Sequence, residues 1–240
     1  MRLLIPCMKC LQVFGRPSNE LTRVEFRDDG RYELTCPFGH ETTTIVQQQK
    51  FEILFDIGAH AILDGYYREA ISSIASSLER FYEFAIRVFL EQSSKSDDLF
   101  QSCWRTVSSQ SERQLGAFIF LWASNVGSAP KLLSDKQTAF RNNVIHKGKI
   151  PTKEEAIKYG NSVLEALRPK MLIIQNTFAE EVQKIVFYHL RDSRAGADEK
   201  KPISTICSPT IVSLSVGELS HHQGSLEDHL VTLSDRRARA

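Results

Sequence analysis

The apolar residues of this chain change their spacing at Phe51, and the change limits what can fold on either side of it. Before it, Val24 and Phe26 alternate with polar neighbours, Asp28-Asp29-Gly30 reads as a turn, and Tyr32 and Leu34 resume the alternation. A period of two with a glycine turn predicts a β-hairpin. After it, Phe51, Leu54, Phe55, Gly58 and Ile62 recur at three and four residues, the period of an α-helix. The sequence therefore predicts a mainly α fold. A small β domain occupies 1–49, a helical bundle 50–192, and a linker with a partly extended or disordered tail 193–240.

The small domain needs something other than burial to hold it, because a hairpin of this size is marginal by itself. Cys7-Met8-Lys9-Cys10 is a two-residue-spaced thiol pair, and Cys36-Pro37-Phe38-Gly39-His40 adds a third thiol with an imidazole beyond a turn. Three sulfurs and one ring nitrogen make the tetrahedral set of a structural zinc site. Cys7, Cys10, Cys36 and His40 are thus expected to bind Zn2+ as a zinc ribbon of the Cys3His kind. A closed set of four ligands leaves no position for substrate, so the metal is assigned a structural or recognition role and no catalysis. Cys103 and Cys207 stand alone and are expected to be ordinary buried or partly buried thiols.

In the body, Tyr67, Ala70, Ile71, Ile74, Ala75, Leu78, Phe81, Tyr82, Ala85 and Phe89 mark a long helix, with Glu83 and Arg87 able to pair along it. Shorter helices follow over about 97–107 and 111–125. The second is so apolar through Phe118, Ile119, Phe120, Leu121 and Trp122 that a central place is expected for it. Thr152-Lys153-Glu154-Glu155 is a capping box opening a helix toward Leu190, which Pro169 should kink or split. Helices at such short spacings predict an up-and-down bundle. In the tail, Ile206, Ile211, Val212 and Leu214 offer a strand to the ribbon or to a partner, whereas His221-His222 and Asp235-Arg236-Arg237 read as solvated and mobile. There is no internal repeat and no glycine-rich phosphate loop.

Chemistry concentrates in Arg141-Asn142-Asn143-Val144-Ile145-His146, followed by Lys147-Gly148. Ser134-Asp135-Lys136-Gln137 reads as a capping box opening a short helix and Gly148 as its close, so the segment lies in the last turns. Arg holds a permanent charge that forks onto phosphate oxygens, and His moves protons near neutrality. Five residues put the two roughly 140° apart on an ideal helix, so they share a face only if the final turn loosens, and that loosening is expected. The simpler alternative is a salt bridge or cap at a helix end.

Arg141, Asn142 and His146 match the Arg, polar residue, spacer and His pattern of the HEPN domains (higher eukaryotes and prokaryotes nucleotide-binding). The stretch from Tyr66-Tyr67-Arg68-Glu69-Ala70 to Ser77-Leu78-Glu79-Arg80-Phe81 is similar to the long helix preceding that motif. The resemblance covers approximately 50–192 and implies an HEPN-like helical bundle after the β zinc ribbon. It implies a metal-independent endoribonuclease acting as a homodimer, with the motifs of two protomers meeting at one site, in a setting such as defence or a toxin with its protein inhibitor. Other family members are inactive and bind nucleic acid, nucleotides or proteins. Under the active reading Arg141, Asn142 and His146 are catalytic, Lys147 and Lys149 bind substrate, and Glu79 is a further polar group from the long helix. The chemistry is 2′-hydroxyl attack on phosphorus, with His146 as base or acid and Arg141 stabilising phosphoryl charge.

With a formal net charge of +1, the chain has no global field for long duplexes, so contact with RNA, single-stranded or structured, is expected at a local basic site. The longest apolar run, Leu115 to Ala123, is too short for a bilayer, and the N-terminus lacks the apolar core of a signal peptide, which predicts a cytoplasmic protein without membrane contact.

Overall fold

A computed structural model describes residues 3–16, 21–94, 97–208, 210–215 and 223–238. The His221-His222 pair lies outside the described residues.

The N-terminal part is built from two strand pairs and one short helix. β1 (Leu3–Ile5) pairs antiparallel with β2 (Thr22–Val24), and α1 (Met8–Phe14) lies between them in sequence. β3 (Arg31–Thr35) pairs antiparallel with β4 (Glu41–Val46). The expected hairpin across Asp28-Asp29-Gly30 is therefore corrected: 22–24 and 31–35 are both strands, but they belong to different sheets. The β-branched run Thr42-Thr43-Thr44-Ile45-Val46 is the true partner of β3, and the Cys36–His40 loop is the hairpin turn.

α2 (Lys50–Leu63) begins the helical body, with a capping box between Gln49 and Glu52 and an end at Asp64. α3 (Tyr67–Ser94) is the axis of the bundle, about 42 Å long at the usual rise per residue. It packs against α2, α4 (Asp97–Val107), α5 (Ser111–Val126), α6 (Asp135–Lys147), α7 (Lys153–Thr177) and α8 (Ala179–Arg194). That position explains why Phe84, Ile86 and Val88 are buried as well as the expected stripe. The helix is covered on more than one side. Gly58 lets α2 approach closely, since a Cβ there would lie 2.5 Å from Ile74 Cγ1 and 3.0 Å from the Ala70 carbonyl oxygen.

α5 is one-sided, which corrects the central place expected of it. Phe118 and Trp122, four residues apart, are buried, while Phe120 is 79% exposed because it lies on the opposite face. Apolar density along one helix does not by itself bury every face of it. Glu83 pairs with Arg80 at 2.5 Å, and Arg87 turns to Asp97 at 2.6 Å, in place of the expected Glu83–Arg87 pair. Pro169 sits inside a continuous α7, and the break comes later at Phe178, a buried residue with φ −124° and ψ 38°.

The tail is integrated into the body. β5 (Ile203–Ile206) adds to β4 in parallel, with Thr43 opposite Ile203 and Val46 opposite Ile206. Ile211 and Val212 are buried in the main core. α9 (Leu226–Ala238) packs on α2 and α7, burying Leu226 and Leu230. Arg168 on α7 donates to the Gly224 carbonyl at 2.6 Å and to His229 Nε2 at 2.7 Å. Asp235, Arg236 and Arg237, expected to be mobile, form part of α9, and Arg237 pairs with Asp64 at 2.6 Å. Cys103 and Cys207 are exposed, against the burial expected of them, and the Cys207 sulfur accepts from Gln48 Nε2 at 3.3 Å. Among the described residues no helix is long and apolar enough to cross a membrane.

Candidate functional site

The first cluster assembles at the tip of the N-terminal part. Cys7 is the N-cap of α1 and Cys10 lies in its first turn, so the three-residue spacing sets both thiols on one side. Cys36 ends β3. Gly39, at φ 75°, lets the loop fold back, with its N–H donating to the Cys36 carbonyl at 2.8 Å and the Cys36 N–H to the His40 carbonyl at 3.1 Å. The result is a compact, largely buried set of four donor atoms, all within 4.8 Å of one another.

The spacing of these atoms matches a tetrahedral ion. Zinc with sulfur ligands at about 2.3 Å and nitrogen at about 2.0 Å requires tetrahedron edges of about 3.8 Å between sulfurs and about 3.5 Å from sulfur to nitrogen. Cys10 Sγ lies 3.7 Å from Cys36 Sγ and 3.3 Å from His40 Nδ1, and Cys7 Sγ lies 3.9 Å from the same nitrogen. Those separations exclude a disulfide, whose sulfurs approach to about 2.05 Å. Electrostatics agree with the geometry. Burial, aided by the neighbouring Cys7 and Cys36, pushes the Cys10 thiol up to about 12. Burial also raises Cys36, but the backbone N–H groups of His40 and Phe38 outweigh it and bring that thiol below its ordinary value. Three thiols in one pocket do not ionise together without a cation among them. The buried Cys7, Cys10, Cys36 and His40 set is therefore suited to a metal ion such as zinc.

No protein-family model, curated protein or solved structure matches this chain. Its chemistry rests on its own residues.

The second cluster is at the C-terminal end of α6. Ser134 and Gln137 form the expected capping box, and Gly148, at φ 73°, closes the helix with its N–H on the Asn143 carbonyl. The Gly148 bond spans five residues, and the Lys149 N–H donates to the same carbonyl at 3.0 Å across six, so the helix closes on wide turns around a left-handed glycine. The helix runs through Lys147 and widens only in its closing bonds onto Asn143; on an ideal helix Arg141 and His146 lie about 140° apart.

Arg141 faces α3. Its Nη2 is ion-paired with Glu79 and its Nη1 donates to Asn142 Oδ1 at 3.0 Å. Tyr82 and Tyr159 are close by: burial, then the charge of Glu79 and each other's company, raises the Tyr82 phenol, and burial also raises Tyr159 beside Arg141 and Glu79. Both phenols therefore keep their protons at any physiological pH. Both tyrosines belong to the main core, and Glu79 acts on each only through its charge. His146 is exposed on the other side, with no hydrogen bond to a described residue. Lys147 is exposed too. Lys149 is already engaged, pairing with Glu155 at 2.5 Å and lying 4.7 Å over the Phe140 ring. The fold thus joins Arg141, Asn142 and Glu79, and leaves His146 and Lys147 facing outward.

Proposed function

We propose that the chain is a metal-independent endoribonuclease of the HEPN kind, carrying a structural zinc ribbon. The observation that carries this reading is the asymmetry at the end of α6: Glu79 and Asn142 fix Arg141, while His146 is exposed with no described partner. A fixed guanidinium with N–H groups to spare orients a phosphate, and an unengaged imidazole moves protons. Because the two residues lie on different sides of one helix, the economical arrangement is a two-fold dimer in which His146 of one copy approaches Arg141 of the other.

In that arrangement one His146 takes the proton of the 2′-hydroxyl as its oxygen attacks the adjacent phosphorus. The bond to the 5′-oxygen breaks, and the second copy's His146 returns a proton to the leaving oxygen. Arg141 stabilises the charge on the phosphoryl oxygens. The products end in a 2′,3′-cyclic phosphate and a 5′-hydroxyl. Lys147 and, once released from Glu155, Lys149 add positive charge along the strand.

The ribbon takes Zn2+ in preference to calcium or magnesium, since thiolate and imidazole donors suit zinc and those ions take oxygen. It holds Cys7, Cys10, Cys36 and His40 together and plays no part in the proton transfers.

The Arg141–Glu79 pair also favours a second reading, in which a neutralised Arg141 belongs to a silent binding module for nucleic acid, nucleotide or protein. Cleavage of a mixed-sequence RNA in magnesium-free buffer with EDTA separates the two, zinc content being checked before and after. Cyclic-phosphate ends from the parent protein, reduced about a hundredfold or more in His146→Ala and Arg141→Ala, support the nuclease. Well-folded protein that yields no such ends supports the binder.

A further inference from the structure

Two phenylalanines flank the cysteine and histidine cluster without joining any core. Phe14 ends α1 with 51% of its surface exposed, and Phe38, in the β3–β4 turn, is 57% exposed. Their ring centroids are 5.4 Å apart with the planes at 58°, and the Phe14 ring lies 6.2 Å from that of His40. Leaving a large apolar side chain half in water forgoes part of the gain from burying it, and here two do so side by side. Both are held in place: the Gly15 N–H closes α1 on the Leu11 carbonyl at 3.0 Å, and the Gly39 bond fixes the turn bearing Phe38.

Lys9 and Arg16 are the charged residues of the described stretch 3–16, and no acidic residue stands among them. Lys9 reaches only the neutral Gln12 side chain, and Arg16 is exposed with no ion pair to a described residue. Glu41, next to His40, is taken up by Lys201 at 3.2 Å. Aromatic rings at the end of a short segment that carries two cations, neither ion-paired to a described residue, fit a strand whose bases are unstacked and whose backbone is anionic. A duplex keeps its base faces covered, and an anionic membrane would be met by aliphatic bulk as readily as by rings.

We propose that Phe14 and Phe38 form a stacking platform for unpaired bases of single-stranded RNA, with Lys9 and Arg16 on the flanking phosphates. This rests on the reading of RNA as the substrate and narrows it: the ribbon selects single-stranded segments for the bundle to cut.

The test uses the full-length, zinc-loaded protein and a fluorescein-labelled, 2′-O-methylated oligouridylate, which offers bases and phosphates but no attacking hydroxyl. Anisotropy should show the single strand bound at least about tenfold more tightly than a 2′-O-methyl duplex. Phe14→Leu and Phe38→Leu, which keep apolar bulk at exposed positions, should each weaken it about fivefold or more. Phe14→Trp should restore binding, with its fluorescence quenched as RNA is added. Equal affinity for the duplex, unaltered binding in both leucine variants, or no binding would overturn the proposal. Because the probe cannot be cleaved, a silent Arg141–His146 site leaves this binding intact, so the two readings fail separately.

Discussion

Glu79 is the residue whose replacement separates support from chemistry. Its pair with Arg141 is partly exposed, with the two side chains at 30% and 23%, and a pair so placed contributes about 1 kcal/mol or less to stability. Glu79→Gln should therefore leave the melting temperature nearly unchanged. If Glu79 aims the guanidinium at phosphate, the same change should lower RNA cleavage about tenfold, and a rate unchanged within error would assign Arg141 to packing alone. A different pair of carboxylates governs pH dependence. Glu52 accepts the Leu214 N–H at 2.8 Å, Asp56 accepts the Ile211 N–H at 3.0 Å, and burial pushes each up to about 7. Values raised on folding mean that the folded chain holds more protons than the unfolded one between about pH 4 and 7. The stability these two carboxylates contribute should thus be fully present at the acid end of that window and fall as pH rises through it, opposed in part by His60, whose imidazole burial holds down to about 4. Asp56→Asn keeps an acceptor for Ile211 and should flatten the decline, gaining at least about 1 kcal/mol at pH 8 in urea unfolding. An unflattened profile would place the titration elsewhere.

Among the elements, those specified by neighbours in sequence were legible and those specified across distance were not. The capping boxes at Ser134 and Thr152 and the Gly148 stop formed where their residues indicated, because a cap is settled within one turn. The Cys7, Cys10, Cys36 and His40 cluster, suited to a metal ion, was legible for a similar reason: ligand spacing within each knuckle is local. Strand pairing was not. Tyr32 and Leu34 alternate as strand residues must, but closing the Cys36–His40 knuckle lays them against Thr42–Val46, and nothing near Val24 announces that choice. The pairing of Arg141 with Glu79, sixty-two positions away, is equally invisible to a helical pattern. Nor did the apolar run in α5 reveal that Phe120 points outward. The close contact of α2 with α3 gives this scale its own test. Gly58→Ala should cost about 1–3 kcal/mol in denaturant unfolding, because its methyl group would meet Ile74 and the Ala70 carbonyl. A loss below about half a kcal/mol would show that the two helices part at little cost.

In the whole molecule, the metal cluster and the tail share one sheet. β3 and β4 carry Cys36 and His40 at their turn, and β5 lies along the other side of β4. Removing the ion should therefore loosen more than the ribbon. Chelation is expected to raise hydrogen exchange in 31–46 and 203–206 while far-UV circular dichroism keeps most of its helical signal, since the main core lies around α3. Exchange confined to 7–10 would mean that the sheet stands without its ion.

The parallel pairing of Val46 with Ile206 also sets a schedule for synthesis. At about 5–20 residues per second, a ribosome needs roughly 10–30 s to deliver β5 after β4 has emerged. Throughout that interval the nascent chain carries a strand edge with no neighbour of its own, next to the complete cysteine and histidine set. A newly made molecule would be most vulnerable to joining its edge to another chain until 203–206 leaves the ribosome.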